Sequence, residues 1–226
     1  MSFEGIRDAA TVVLLRGGST PNPRILLGQR GSNAVFMPSK FVFPGGAVDA
    51  MDFEMQPVGR PGDICRDRLT RHVRRDITEN LLLCAVREVW EETGLRLASR
   101  ASDPDTPVPE SWQPFCSGGV RPDASGLVFF YRAITPPGRT RRYDARFFLA
   151  DLNLVSLLGN ADDFSLASGE LSQLQWVSLA EAKQLDLPSI TRLVLQSASQ
   201  LLPGNKAPAS VPFRFSNDGT SELWQI

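Results

Sequence analysis

The chain has 226 residues, 42% apolar and 22% charged, enough for a sizeable core and too apolar to be disordered as a whole. With 24 Lys and Arg against 25 Asp and Glu, the net charge of −1 argues against a nucleic-acid partner, whose footprint is strongly basic. No apolar run approaches the roughly 18 residues of a membrane span, and the N-terminal stretch lacks the basic and cleavage regions of a signal peptide.

In chain order, residues 8–16 (DAATVVLLR) are expected as a buried strand and 24–29 as its hairpin partner, joined by the turn chemistry of GGSTPNP. A short strand at 41–43 runs into Pro44-Gly45-Gly46. Residues 50–78 are polar and broken by prolines, with a short helix near 66–75. A helix is expected over 79–93, with Asp76, Thr78 or Asn80 as N-cap, capping-box spacing between Asp76 and Glu79, and Gly94 as the residue that ends it. Residues 99–123 contain five prolines and are expected as a long loop. Strands follow at 126–134 and 143–152, then a loop at 153–170, a short strand at 174–177, a short helix at 179–185 and a helix at 189–202. The tail could add one strand pair within 208–226. Strands on either side of a central helix predict an α/β/α sandwich with a mixed sheet, a single domain over 1–226. Its core spans about 8–203, its insertion about 47–78 and its tail about 204–226.

Three scattered cysteines, Cys65, Cys84 and Cys116, are too few for a disulfide framework and point to a reducing, cytoplasmic setting. The single histidine, His72, sits among arginines, which leaves carboxylates to do any chemistry. At 100° per residue, Glu91 lies near −60° and Glu92 near +40° from Glu88, so the three share one helical face. They repel one another near a helix C-terminus, where the macrodipole also disfavours them. Arg87 pairs with Glu91 at i+4 but cannot neutralise three. A hard divalent cation, Mg²⁺ or Mn²⁺, would; a solvated acidic face is the simpler alternative.

The run Arg87-Glu88-Val89-Trp90-Glu91-Glu92-Thr93-Gly94-Leu95 resembles the second half of the Nudix box, G-x5-E-x7-R-E-U-x-E-E-x-G-U. Counting back from Arg87 places Glu79 at the box's first glutamate. Val73 stands where the opening glycine belongs, and Gly45-Gly46 resembles its displaced start. Gly46 to Glu79 spans 33 positions instead of 6, an insertion of 27. The Gln175-Trp176-Val177 strand with Leu179-Ala180-Glu181-Ala182 continues the resemblance. It implies a hydrolase that cleaves the diphosphate linkage of a nucleoside diphosphate joined to another moiety, a small-molecule substrate. In it Glu88, Glu91, Glu92 and the Gly46 carbonyl ligate the metal, and Arg87 orients a ligand glutamate. Glu79 serves the outer shell, and Glu170, six residues before Trp176, is the general base or an extra ligand.

Phe36-Met37-Pro38, Phe41 to Gly46, Asp49, Asp52 and Arg142 to Phe148 resemble the split-box branch that includes the mammalian peroxisomal coenzyme A diphosphatase. Leu26-Leu27-x-x-Arg30 fits the start of the coenzyme A signature, whereas Gly31, Val35 and Ser39 depart from it. The resemblance implies coenzyme A or acyl-coenzyme A as substrate, with Arg30, Arg142 and Arg146 binding it. ADP-ribose, a nucleotide sugar, a dinucleoside polyphosphate or a capped RNA are alternatives, as is a non-catalytic Nudix module. The terminal Leu-Trp-Gln-Ile is not a peroxisomal address. Arginines 66, 68, 71, 74 and 75, and 139, 141, 142 and 146, could hold phosphates or be solvated faces. Trp112 and Phe115 could stack a base or pack locally. No exposed apolar stripe marks an oligomer interface, and an oligomer stays open.

Overall fold

The computed structural model describes residues 5–35, 37–73, 75–103, 105–201, 207–217 and 219–226. Phe36, Arg74 and the expected helix end at Leu202 lie outside them. The central strand is β1 (Ile6–Arg16), whose apolar run is buried on both faces. It turns through the expected hairpin into β2 (Arg24–Arg30). Two short pieces, β3 (Phe41–Val42) and β4 (Gly45–Ala47), pair with β2 and β1. The glycine pair is therefore strand, not merely a turn.

A 3₁₀ turn (Ala50–Phe53) opens the insertion, followed by α1 (Asp63–Leu69). This helix starts and stops earlier than the expected 66–75. Cys65 and Leu69, four apart, bury against the sheet, and the chain must turn back through His72 at a positive φ of 54°. The long helix α2 (Thr78–Thr93) ends at Gly94 with a left-handed φ of 78°. Asp76 accepts from the Thr78 N–H at 2.9 Å, but Glu79 does not reach back to form a box with it.

The expected loop at 99–123 is partly sheet. The strand β5 (Arg96–Arg100) leaves α2 at once and pairs with β6 (Val120–Pro122). Then come β7 (Leu127–Ile134), β8 (Arg142–Asp151) and β9 (Leu157–Leu158). The last closes the small sheet β6-β5-β9 inside the second expected loop. These strands are two to five residues long and pair across long separations, so no local periodicity announces them. The chain ends with β10 (Leu171–Ser178), α3 (Leu179–Ala182), α4 (Ser189–Leu201), β11 (Pro212–Asn217) and β12 (Thr220–Gln225).

The main sheet runs β10-β2-β1-β8-β7-β11-β12, with β1 and β8 parallel over ten residue pairs. Alternate residues serve its two faces. Val12, Leu14 and Phe148 pack with α2; Val13, Leu15, Phe147 and Leu149 pack with α4. This is the expected α/β/α sandwich with a mixed sheet. Among the described residues, no helix is long and apolar enough to cross a membrane.

The tail belongs to the core. Phe213 and Phe215 are buried beneath Trp224, with ring centroids 4.9 Å apart, and β11 lies parallel to β7. Phe213→Ala is expected to cost about 3–5 kcal/mol by urea unfolding, the usual price of emptying a buried phenyl site. A loss below about 1 kcal/mol would show the hairpin to be a loose attachment.

Candidate active site

The acidic face of α2 is organised by Arg87, whose side chain is 5% exposed. Its Nε and Nη2 donate to the Asp52 carboxylate at 2.9 and 3.0 Å. Its Nη1 is shared between Glu88 Oε1 at 2.8 Å and Glu91 Oε2 at 2.9 Å. Nη2 also reaches the Ala47 carbonyl at 3.1 Å. Burial would lower the guanidinium's affinity for its proton, but Asp52 and Glu88 outweigh that and hold it higher still. Asp52, fully buried, accepts the Asp49 N–H at 2.9 Å as well.

Facing this helix, β4 brings its glycines within touching distance. A Cβ on Gly46 would collide with Glu88 Oε1, and one on Gly45 would stand 2.6 Å from the Thr11 Cα. Only glycine lets the backbone come so close. The Gly45 N–H donates to Glu92 Oε2 at 2.8 Å, and the Gly46 carbonyl accepts from the Cys84 thiol at 3.6 Å. Burial, then neighbouring charge, sets the carboxyls. Glu88 is pushed up to about 7 by burial, against the pull of Arg87. Glu92, 2% exposed, is pushed up to about 8 by burial and by Glu88.

The loop before β10 folds over the end of α2. Ser168 N–H donates to the Glu91 carbonyl at 2.7 Å, and a Cβ on Gly94 would lie 3.1 Å from the Leu166 Cβ. This sets exposed Glu170 beside the register pair Leu171 and Arg30. Both charges act on Glu92, Arg30 lowering its proton affinity and Glu170 raising it. Glu88, Glu91, Glu92, Gly46, Arg87, Arg30 and Glu170 thus gather at one end of α2.

The donors suit a hard cation in kind: oxygen ligands, mutually repelling, two of them buried, beside a cradle that a side chain would fill. Each glutamate keeps one oxygen outside the bonds named above. As arranged, though, no three His, Cys, Asp or Glu side chains among the described residues converge as the ligand set of one ion.

Other expected site residues lie elsewhere. Glu79 pairs with Arg60 of the insertion at 2.8 Å, about 12 Å along the helix axis from Arg87. Arg146 is corrected from substrate ligand to buried cation. It is 1% exposed and bound to Asp8 at 2.6 Å and Asp144 at 3.2 Å. Arg142 donates to the Thr135 carbonyl at 3.0 Å in the β7–β8 ribbon. The insertion arginines are mostly engaged: Arg66 with Asp63, Arg71 with Asp67, Arg68 with the Pro208 and Ala209 carbonyls, and Arg75 over the Phe53 ring. Trp112 and Phe115 are fully buried and pack edge to face 5.5 Å apart, so they form core rather than stack a base.

Sequence reasoning missed three contributors: Asp52 as the clamp of Arg87, Asn80, which donates to the Asp52 carbonyl at 2.9 Å, and Cys84. The one available signal was the Asp49-x-x-Asp52 spacing at a turn start.

Comparison with known proteins defines the class. A NUDIX hydrolase from Alicyclobacillus acidocaldarius superposes with a TM-score of 0.61 at 26% identity, over 89% of this chain and 97% of that one. The NUDIX domain of Shewanella oneidensis NrtR, solved with ADP ribose, superposes at 0.50 with 15% identity over 88% and 90%, a likeness of fold alone. No family model matches the chain. The chain has the Nudix fold and resembles the Nudix hydrolases in sequence. Within them it resembles the acyl-coenzyme A diphosphatases of Gallus gallus and Homo sapiens. Identities are 29% and 28%, over 65% of this chain and 55% and 56% of theirs. The chain spans about half the length of the curated relatives it matches.

The raised carboxyls have a consequence for stability. A carboxyl that holds its proton more tightly folded than unfolded stabilises the fold at low pH, and that stabilisation is lost as pH rises through the folded value. Metal-free protein is therefore expected to lose stability between about pH 5 and pH 8, as Glu88 and Glu92 ionise near 7 and 8. Glu92→Gln should flatten the fall. Denaturant midpoints across that range check it, and a midpoint rising steadily to pH 8 would contradict it.

Proposed function

We propose that the chain is a metal-dependent hydrolase that cleaves the diphosphate linkage of a nucleoside diphosphate joined to another moiety, with coenzyme A and its acyl derivatives foremost. The observation that carries the reading is the Glu88-Glu91-Glu92 face, fixed by Arg87 against Gly45-Gly46. The names of the chicken and human relatives favour the substrate. The free, buried cysteines suit a reducing, cytoplasmic setting.

Glu88, Glu91, Glu92 and the Gly46 carbonyl would hold Mg²⁺ or Mn²⁺. Bound there, such an ion supplies polarisation of phosphoryl oxygens and a lowered pKa for a coordinated water. The protein's own residues do the rest. Arg87 fixes the directions of Glu88 and Glu91. Glu170, exposed and near Glu92, takes the proton of the attacking water. Arg30, half-buried beside Glu92, faces the substrate's phosphates. Catalysis of this kind is mostly positioning and neutralisation of charge.

The test is a substrate panel of coenzyme A, acetyl-coenzyme A, ADP-ribose, a nucleotide sugar and a dinucleoside polyphosphate, each with Mg²⁺ and with chelator. Coenzyme A plus water should give 3′,5′-ADP and 4′-phosphopantetheine only with metal. Glu92→Gln should abolish most turnover. Glu170→Gln should lower kcat by roughly 10²–10⁴-fold with little change in KM. Cleavage of ADP-ribose but not coenzyme A would move the substrate and keep the chemistry. Turnover of no substrate, or equal turnover in chelator, would sink the reading.

A further inference from the structure

We infer that Asp52, supplied by the insertion that splits the box, is a positioning residue for the metal site, acting through Arg87. The inference rests on the proposed metal-dependent reading. Its own support is geometric.

An arginine has a planar fork of five N–H donors. Asp52 takes one edge of the Arg87 fork in a bidentate pair, through Nε and Nη2 at 2.9 and 3.0 Å. Ala47 O takes another Nη2 direction at 3.1 Å. What remains is Nη1, directed at one oxygen each of Glu88 and Glu91. With its plane fixed, the guanidinium can engage each glutamate through one oxygen only. Were it free to turn, its stronger bidentate edge could face a glutamate and take both oxygens. It would then compete with a cation for the same donors. Asp52 also keeps a negative charge beside the site, so that Arg87 does not cancel one of the three ligand charges.

The clamp is built rather than incidental. Asp52 is fully buried, and its backbone is fixed by Asn80 Nδ2 on its carbonyl at 2.9 Å. The neighbouring Met51 carbonyl accepts from the Trp112 indole at 2.8 Å. Asn80 lies on α2 itself, two turns before Arg87. The first turn of the insertion is thereby tied to the catalytic helix at two points. An insertion at this place does not interrupt the site; its first six residues help form it.

The test reads Mn²⁺ binding by the paramagnetic resonance of free Mn²⁺, on whole, folded protein without substrate. Asp52→Asn keeps the shape and removes the charge. Its Kd for Mn²⁺ should rise by about 10–100-fold, the usual effect of losing a partner that orients metal ligands. Phe213→Ala, destabilising but remote in the tail hairpin, should leave the Kd within about two-fold. If Asp52→Asn does not fold, Asn80→Ala decides the matter, since it loosens the clamp without leaving a buried charge unpaired. It should raise the Kd several-fold. Wild-type binding with unchanged affinity in the folded Asp52 or Asn80 variant would overturn the inference alone. An equal loss in Phe213→Ala would reduce Asp52 to general stability. Wild-type protein that binds no Mn²⁺ would overturn both the inference and the reading beneath it.

Discussion

The buried guanidinium of Arg87 meets three carboxylates, and the rest of the site is arranged around that meeting. One cation faces Asp52, Glu88 and Glu91, with Glu92 close behind. Such a cluster is poor evidence of stability, because desolvating buried charges costs about what their attraction returns. Removing one partner is another matter, commonly costing about 3–5 kcal/mol through the charge left unpaired. The geometry is thus specified by what its disruption costs. Excess negative charge persists after Arg87 has done all it can.

That excess explains the neighbourhood. Gly46 leaves no side chain between β4 and Glu88, while Gly45 lies against Thr11 of β1 and turns its N–H to Glu92. The loop carrying Glu170 is fastened to the end of α2 through Ser168 and Leu166. Burial then pushes Glu88 up to about 7 and Glu92 up to about 8, so both hold their protons more tightly than a solvated carboxyl does. A second ionic group, Arg132, Arg146, Asp144 and Asp8, sits within the sheet and is mechanically distinct. Arg132 stacks on Phe213 and holds the Arg71 and His72 carbonyls, fastening the insertion's far end to β7.

The helix and its acidic face were legible because both follow one local rule, 3.6 residues per turn, between a proline-rich break and Gly94. β1, β2, β7 and β8 were legible as apolar runs of strand length bounded by turn residues. β5, β6 and β9 were not: they are short and owe their existence to pairing with distant chain. Arg146 misled because it occupies a motif resembling a substrate-binding run. Sequence spacing cannot reveal that alternation turns its side chain inward onto Asp8 and Asp144. Asp52 stood out only as part of the split-box resemblance, and no sequence rule pairs it with an arginine 35 positions away.

In the proposed reading, a hard cation takes the place of the protons that burial holds on Glu88 and Glu92. Proton release on binding measures it most directly, since a carboxylate must be deprotonated to ligate. Mn²⁺ titrated calorimetrically at pH 6.5, in two buffers of different ionisation enthalpy, gives the number of protons expelled. With Glu88 at about 7 and Glu92 at about 8, release of about one to two protons per ion bound is expected, falling toward zero by about pH 9. Mn²⁺ binding at pH 6.5 with no proton release would contradict it.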